Sequence, residues 1–394
     1  MNAIAWLYHY ILPFIVVITP LVFIHELGHF LLARWNGVRV EVFSIGFGRE
    51  LFGWTDRHNT RWKFSALPLG GYVRMFGQAE PDMGKSAAAR DWARSERGRE
   101  DPEQPAELTD AERDVAFNHK RIWQRAAVTV AGPAANLIFA VVLTAIIFAT
   151  YGQQLSSTQI GQVFPGSAAE AAGLLKGDKI LSANGQQLRR FEDLAAIVGL
   201  GLNEPLKLQV QRGDQVIAIS AQPKIIETKD IFGNTQRIGQ LGVQTAGAGE
   251  IVHYDPLTAL WIASVETYRT AAGVLKSVGQ ILTGARSAGD LSGIVSIAKM
   301  SSNVFEAGIG PTISFIVFIS INLGLINLFP IPLLDGGHLV FYAIEAVSGR
   351  KPGPKTEEWS MRVGIALVFS LMLFALWNDL VRYGVISYIA NLFA

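Results

Sequence analysis

The 394-residue sequence contains no cysteine. This excludes disulfide bonds, thiolate metal sites and a cysteine nucleophile. Any zinc ion would have to be held by His, Asp or Glu. Charge is scarce too: 17% of residues are Asp, Glu, Lys or Arg, against about a quarter in an ordinary soluble chain. The net charge of +1 leaves no global attraction for nucleic acid. Apolar residues make up the difference. Half the chain is hydrophobic, and the mean hydropathy is +0.28.

The missing charges are missing in blocks. None of Asp, Glu, Lys or Arg occurs from Asn2 to Ile24, Ala126 to Ala169, Ala307 to Leu334 or Val363 to Asn378. A helix needs about 20 apolar residues to cross a bilayer. The first three runs suffice, and the fourth does so with Arg362, Asp379 and Arg382 at headgroup level. The expected spans are 5–33, 126–151, 309–334 and 360–383. The first has no basic leader segment and is interrupted by His25-Glu26-Leu27-Gly28-His29, so it reads as a span and not as a cleaved signal. Arg34, Arg39, Lys120, Arg121 and Arg125 bound the loop after span one, and Arg350, Lys351 and Lys355 lie between spans three and four. Basic residues mark the cytoplasmic side. Both termini and the segment 152–308 are then expected on the outer face, which in a bacterium is the periplasm.

The loops read in turn as follows. Val38–Gly48 and Thr60–Ala66 look like strands around a turn at Asp56–Asn59, giving a hairpin at the membrane interface over 38–77. Residues 78–119 are polar and Pro-containing, a cytoplasmic linker without chemistry. Residues 158–225, within a periplasmic segment 153–250, carry a strand, a Pro-Gly turn, a short Ala-rich helix ending at Gly173, a turn at Asn184-Gly185, a helix over Phe191–Leu200, and strands near Leu206–Val210 and Val216–Ser220. In 251–308, Leu257, Leu260, Trp261, Val265, Tyr268, Leu275, Val278 and Leu282 recur at helical spacing. This predicts an amphipathic helix, either on the membrane surface or packed on the preceding domain.

The chemistry concentrates in two places. His25-Glu26-Leu27-Gly28-His29 is H-E-x-x-H: on a helix its two imidazoles share a face and can grip one zinc ion, with Glu26 beside them to take a proton. A structural His pair is the bland alternative, but ionisable groups at the end of a hydrophobic span are costly and usually functional. A third ligand is needed. Asp335 and His338 follow the third apolar run, and spacing alone does not choose between them. A scaffold with a structural zinc and a peptide-binding domain is the main competing class. An ion transporter is disfavoured by the absence of an inverted repeat.

H-E-x-x-H on the first span, with Asn327-Leu-Phe-Pro330 and Leu334-Asp335-Gly336 on a later one, resembles the site-2 protease family of intramembrane zinc metalloproteases. Gly70-Gly71-Tyr72-Val73, Ala131-Gly132-Pro133 with Asn136, and Leu291-Ser292-Gly293 extend the likeness over most of the chain. The run Pro165-Gly166-Ser167 through Ala172-Gly173-Leu174, Gly177-Asp178 and Asn184-Gly185 resembles a PDZ domain. Together they point to the bacterial regulator-of-sigma-E protease branch. The resemblance implies a polytopic α-helical protein with four transmembrane helices, a membrane-associated β-hairpin and one periplasmic α/β PDZ-like domain. It implies Zn2+ held by His25, His29 and Asp335, with Glu26 as general base. Asn322, Asn327, Pro330, Gly70 and Gly71 are implied substrate-binding residues. The implied substrates are trimmed single-pass membrane proteins, such as an anti-sigma factor or remnant signal peptides, with a peptide or C-terminus at the PDZ domain. The chain departs from the family pattern in having one PDZ-like domain instead of two, and a longer cytoplasmic linker.

Overall fold

The computed structural model describes residues 7–78, 109–201, 204–229, 235–247, 249–285, 289 and 292–383. Most of the expected linker lies outside the described residues. The described chain separates into two compact units. One comprises 1–140 with 315–373, the other 141–314 with 374–394. Among the described residues, four helices are long and apolar enough to cross a membrane: Tyr8–Trp35, Ile122–Thr150, Ile309–Asn327 and Lys355–Arg382.

In the first unit, a π-helical turn at Leu7–Ile11 leads into α1 (Leu12–Trp35). Strands β1 (Val40–Thr55) and β2 (Arg61–Met75) follow, longer than expected. β1 turns at Gly46 and Gly48, whose φ values of 90° and 85° suit glycine. The sheet then folds back on itself. Val42–Ile45 face Arg61–Phe64 on one side and Gly71–Arg74 on the other. The hairpin is therefore four rows of backbone wide, with the Val42–Ile45 row in the interior. The expected turn forms at Asp56, whose Oδ1 accepts from the backbone N–H of His58 and Thr60. The missed strand halves contain glycine and Pro68, which read as breakers in a linear scan.

A stacked pair, Phe43 on Trp62 with centroids 4.4 Å apart, anchors this sheet against Phe30 of α1. Val38, Val40, Met75, Phe117 and Val128 complete that core. The far end of the sheet leaves Phe47, Leu51, Phe52, Trp54, Phe64 and Leu67 exposed. A short helix α2 (Asp110–Val115) and a turn at Phe117–His119 lead into α3 (Ile122–Thr150).

The expectation of one span over 309–334 is corrected. Helix α8 (Ile309–Asn327) stops short, and a new helix α9 begins at Asp335 and runs to Ser348. Pro330 and Pro332 remove two backbone donors, so the helix cannot continue through them. Leu333 takes φ of 94°, a strained value for a branched residue. The final span is α10 (Pro354–Arg382).

The second unit holds the small α/β domain. Strands β3 (Gln153–Leu155) and β12 (Glu250–Val252) pair, as do β4 (Ile160–Val163) and β11 (Val243–Thr245). Helix α4 is Ala168–Ala171. A four-stranded sheet runs in the order β6 (Gln186–Gln187), β5 (Lys179–Ala183), β7 (Leu206–Arg212), β8 (Gln215–Ala221). Helix α5 is Phe191–Leu200, as expected, and β9 (Lys224–Lys229) pairs with β10 (Thr235–Gln240). Ile160, Leu174, Ile180, Leu194, Leu208 and Val210 fill the core. Asn184 and Gly185 both have positive φ, 50° and 82°, as a tight hairpin turn requires. Asp178 is buried and receives two bonds from Arg212, at 2.8 and 2.7 Å. The Arg212 guanidinium holds its carboxyl below the usual carboxylate range.

The expected amphipathic segment is two helices, α6 (Pro256–Leu282) and α7 (Ile294–Glu306). Two polar contacts tie α6 to the ends of α5: Glu266 pairs with Arg190, just before α5, at 2.5 Å, and Gln280 Nε2 donates to the Leu200 carbonyl at 2.7 Å. Its apolar stripe, including Leu257, Trp261, Tyr268 and Leu282, stays exposed.

Candidate metal centre

His25 and His29 sit one turn apart on α1, on its buried side. Their Nε2 atoms are 3.2 Å apart. Asp335, the first residue of α9, brings Oδ2 to 3.3 Å from His25 Nε2 and 3.5 Å from His29 Nε2. Among the described residues these are the one group of metal-binding side chains that converges. His338, the other candidate by spacing, lies one turn further along α9 and is not in the group.

The triangle has the dimensions of a tetrahedral zinc site. Zinc bonds of about 2.0–2.2 Å to nitrogen and oxygen put ligand atoms about 3.3–3.5 Å from one another. Two imidazoles and one carboxylate are also a known catalytic zinc donor set, leaving a fourth position open. The residues therefore fit the ion.

The close approach depends on glycines. A Cβ on Gly132 of α3 would lie 2.2 Å from His29 Nε2. A Cβ on Gly28 would meet the Ala131 carbonyl oxygen at 2.2 Å. Packing of α1 on α3 is thus the reason for Gly28, and Gly132 leaves space for the His29 ring. Asp335 is placed the same way. Side chains at Gly336 and Gly337 would strike the carbonyl oxygens of Phe329 and Ile331 at 2.2 and 2.5 Å. The irregular 328–334 segment folds over the start of α9 because that start is bare.

His29 Nδ1 donates to the Val128 carbonyl of α3 at 2.8 Å. A carbonyl only accepts, so Nδ1 carries the proton and Nε2 presents its lone pair to the centre. His25 Nδ1 lies 3.2 Å from the Asn136 side-chain amide, also on α3. Neither the Val128 carbonyl nor Asn136 was given a role from sequence. The first is a backbone group with no side-chain signature. The second lay in the Gly132-Pro133 stretch that carried the family likeness.

Glu26 projects toward β2. A Cβ on Gly71 would come within 3.2 Å of Glu26 Cγ and 2.7 Å of the Ser44 carbonyl. Gly70 sits against the Phe47 ring. Of the other expected site residues, Asn327 approaches His25 Nε2 at 3.5 Å. Asn322 instead donates to the Phe318 carbonyl of its own helix at 2.7 Å. Pro330 is exposed in the 328–334 segment.

The profile of peptidase family M50 matches residues 13–371. The chain belongs to peptidase family M50. A zinc metalloprotease by name from Rhizobium meliloti (strain 1021) is 39% identical over 375 residues, covering 94% of this chain and 96% of the relative. A similarly named protein of Agrobacterium fabrum is 38% identical over 383 residues, 96% of this chain and 98% of the relative. Metalloprotease MmpA of Caulobacter vibrioides is 36% identical over 395 residues, 96% of each. This M50 protein is a membrane zinc metalloprotease.

Proposed function

We propose that this M50 peptidase cuts peptide bonds within the membrane-spanning segments of single-pass proteins. Its substrates are already trimmed on the outer side, such as an anti-sigma factor in regulated intramembrane proteolysis, or remnant signal peptides. One observation carries the reading: the donor triangle of His25, His29 and Asp335 and the adjacent Glu26 stand at a helix apolar enough to span a bilayer. A protease acting on soluble substrates has no reason to hold its ionisable groups there, where they are expensive.

His25, His29 and Asp335 hold the ion and Glu26 is the general base. Bound zinc supplies Lewis acidity, acidifying water and polarising the scissile carbonyl. Glu26 takes the proton from the attacking water and delivers it to the departing amide nitrogen. A substrate helix buries its carbonyls in hydrogen bonds and must open before attack. The β2 row containing Gly70 and Gly71 passes Glu26, and an opened segment can be held there by strand addition. Asn327, beside His25, is placed to bond the substrate backbone, and Asn322 and Pro330 shape the approach.

The small α/β domain acts as a PDZ-like filter on the periplasmic side of the inner membrane, binding a peptide or C-terminus and excluding bulky ectodomains. The basic residues flanking the spans support that orientation. The test is Glu26→Gln in the full chain. Zinc should be retained while cleavage of a single-pass membrane substrate falls by a factor of about 10² to 10⁴. Cleavage at the parental rate would remove Glu26 from the mechanism.

A further inference from the structure

The two histidines are supported unequally. His29 faces a backbone carbonyl, which fixes one tautomer. His25 faces a side-chain amide, which can donate from one end and accept from the other. Asn136 is fully buried, and its Oδ1 has no hydrogen-bond partner among the described residues. Ser320 Oγ of α8 donates to the backbone carbonyl oxygen of Asn136 at 2.8 Å. Val128, Gly132 and Asn136 recur every four residues, so one face of α3 backs both rings.

We propose that Asn136 is a positioning residue that serves both tautomers of His25. The proposal rests on the reading of His25 as a zinc ligand through Nε2. With its proton on Nε2, His25 donates toward Asp335 Oδ2, 3.3 Å away, and Nδ1 accepts from the Asn136 NH2. With Nε2 given to zinc, the proton sits on Nδ1 and must be accepted. A half-turn of the amide about its terminal bond offers Oδ1, the atom left without a partner. The amide keeps its shape in this exchange, so neither α3 nor the His25 ring moves. His29 is preset for the metal, whereas His25 is switched into place by Asn136 as the ion loads.

The test measures zinc dissociation constants of the purified full chain by chelator competition. Absorption spectra of the Co2+-substituted protein are recorded alongside. Asn136→Leu keeps the volume and removes both hydrogen-bonding ends. It should weaken zinc about 10- to 100-fold, the usual effect of losing a hydrogen bond to a metal-ligating histidine, and alter the Co2+ spectrum. Asn136→Asp offers an acceptor only, which favours the zinc-ready tautomer, and should bind zinc at least as tightly as the parent. Because it retains a polar group at this buried position, it carries the test even if the leucine variant fails to fold. Zinc binding by a folded Asn136→Leu within about twofold of the parent overturns the proposal, and so does weakened binding by Asn136→Asp. Asn136→Asp melting within a few degrees of the parent in chelator separates an orienting role from a packing one. His25→Ala distinguishes the underlying reading: if that variant holds zinc at parental affinity, His25 is not a ligand and the ligand assignment itself fails.

Discussion

Gly132→Ala tests the metal centre through packing alone, without replacing a candidate ligand. The new Cβ would lie 2.2 Å from His29 Nε2, 2.6 Å from Cε1 and 2.8 Å from Cδ2, where ordinary contact begins at 3.4 Å. The ring is also held by the Val128 carbonyl at 2.8 Å, so it cannot shift without straining that bond. Relief requires His29 to move by about 1 Å, and a 1 Å misplacement in an active site costs on the order of 10²-fold in rate. Overpacking of this kind costs about 1–3 kcal/mol. Drawn from zinc binding, that is a loss of about 5- to 150-fold in affinity. The assay is chelator competition on the purified protein, with proteolysis of a membrane substrate measured in parallel. The expected result is weakened zinc and at least about a hundredfold lower rate, with only a modest fall in the melting temperature of the chelated protein. A Gly132→Ala protein with parental zinc affinity would refute the argument, because His29 could not then lie against residue 132 in the working enzyme.

Arg125 of α3 and Glu345 of α9 form a buried pair at 2.7 Å, with Arg125 also over the Tyr342 ring. Arg125→Met should destabilise the protein by about 3–5 kcal/mol by stranding Glu345, and the double variant with Glu345→Leu should recover most of it; thermal melting of both checks this. The lowered carboxyl of Asp178 means that the folded α/β domain releases this proton more readily than the unfolded chain does. Its contribution is therefore fully present above the ordinary carboxylate range, about pH 4, and is lost as pH falls through the lower folded value. Hydrogen exchange across β5 and β7 should accelerate in that acid window, and Asp178→Asn should abolish that pH dependence. Asp379 of α10 is fully buried and caps the bare N-terminus of α7, accepting from the backbone N–H of Gly293 at 3.1 Å and of Ser296 at 3.0 Å. Asp379→Leu should cost about 1–3 kcal/mol, visible as faster amide exchange over the first turn of α7, while Ile262 and the rest of α6 keep their protection.

Much of the molecule was legible along the chain because its signals are local. Charge-free runs locate membrane helices, since the bilayer imposes a length and a polarity on each segment separately. H-E-x-x-H is legible for the same reason: four residues make one helical turn, so spacing alone puts His25 and His29 together. Phe191–Leu200 and the Asn184-Gly185 turn are equally local. The expected third span was too long because apolar composition does not reveal where a helix stops; Pro330, Pro332 and the strained Leu333 end it before Asp335.

The sequence by itself determined the H-E-x-x-H pair, the approximate places of the membrane-length helices and the small α/β domain, because each depends on residues a few positions apart. Only the tertiary structure shows Asp335, and not His338, brought against the two histidines. Both start the same helix and both can ligate, and the choice is made by how residues 328–334 fold over Gly336 and Gly337 to aim that helix at α1. It also decided which groups support the ligands. The Val128 carbonyl and Asn136 lie about a hundred residues from the histidines they face, and such contacts exist only once α1 and α3 have packed through Gly28 and Gly132.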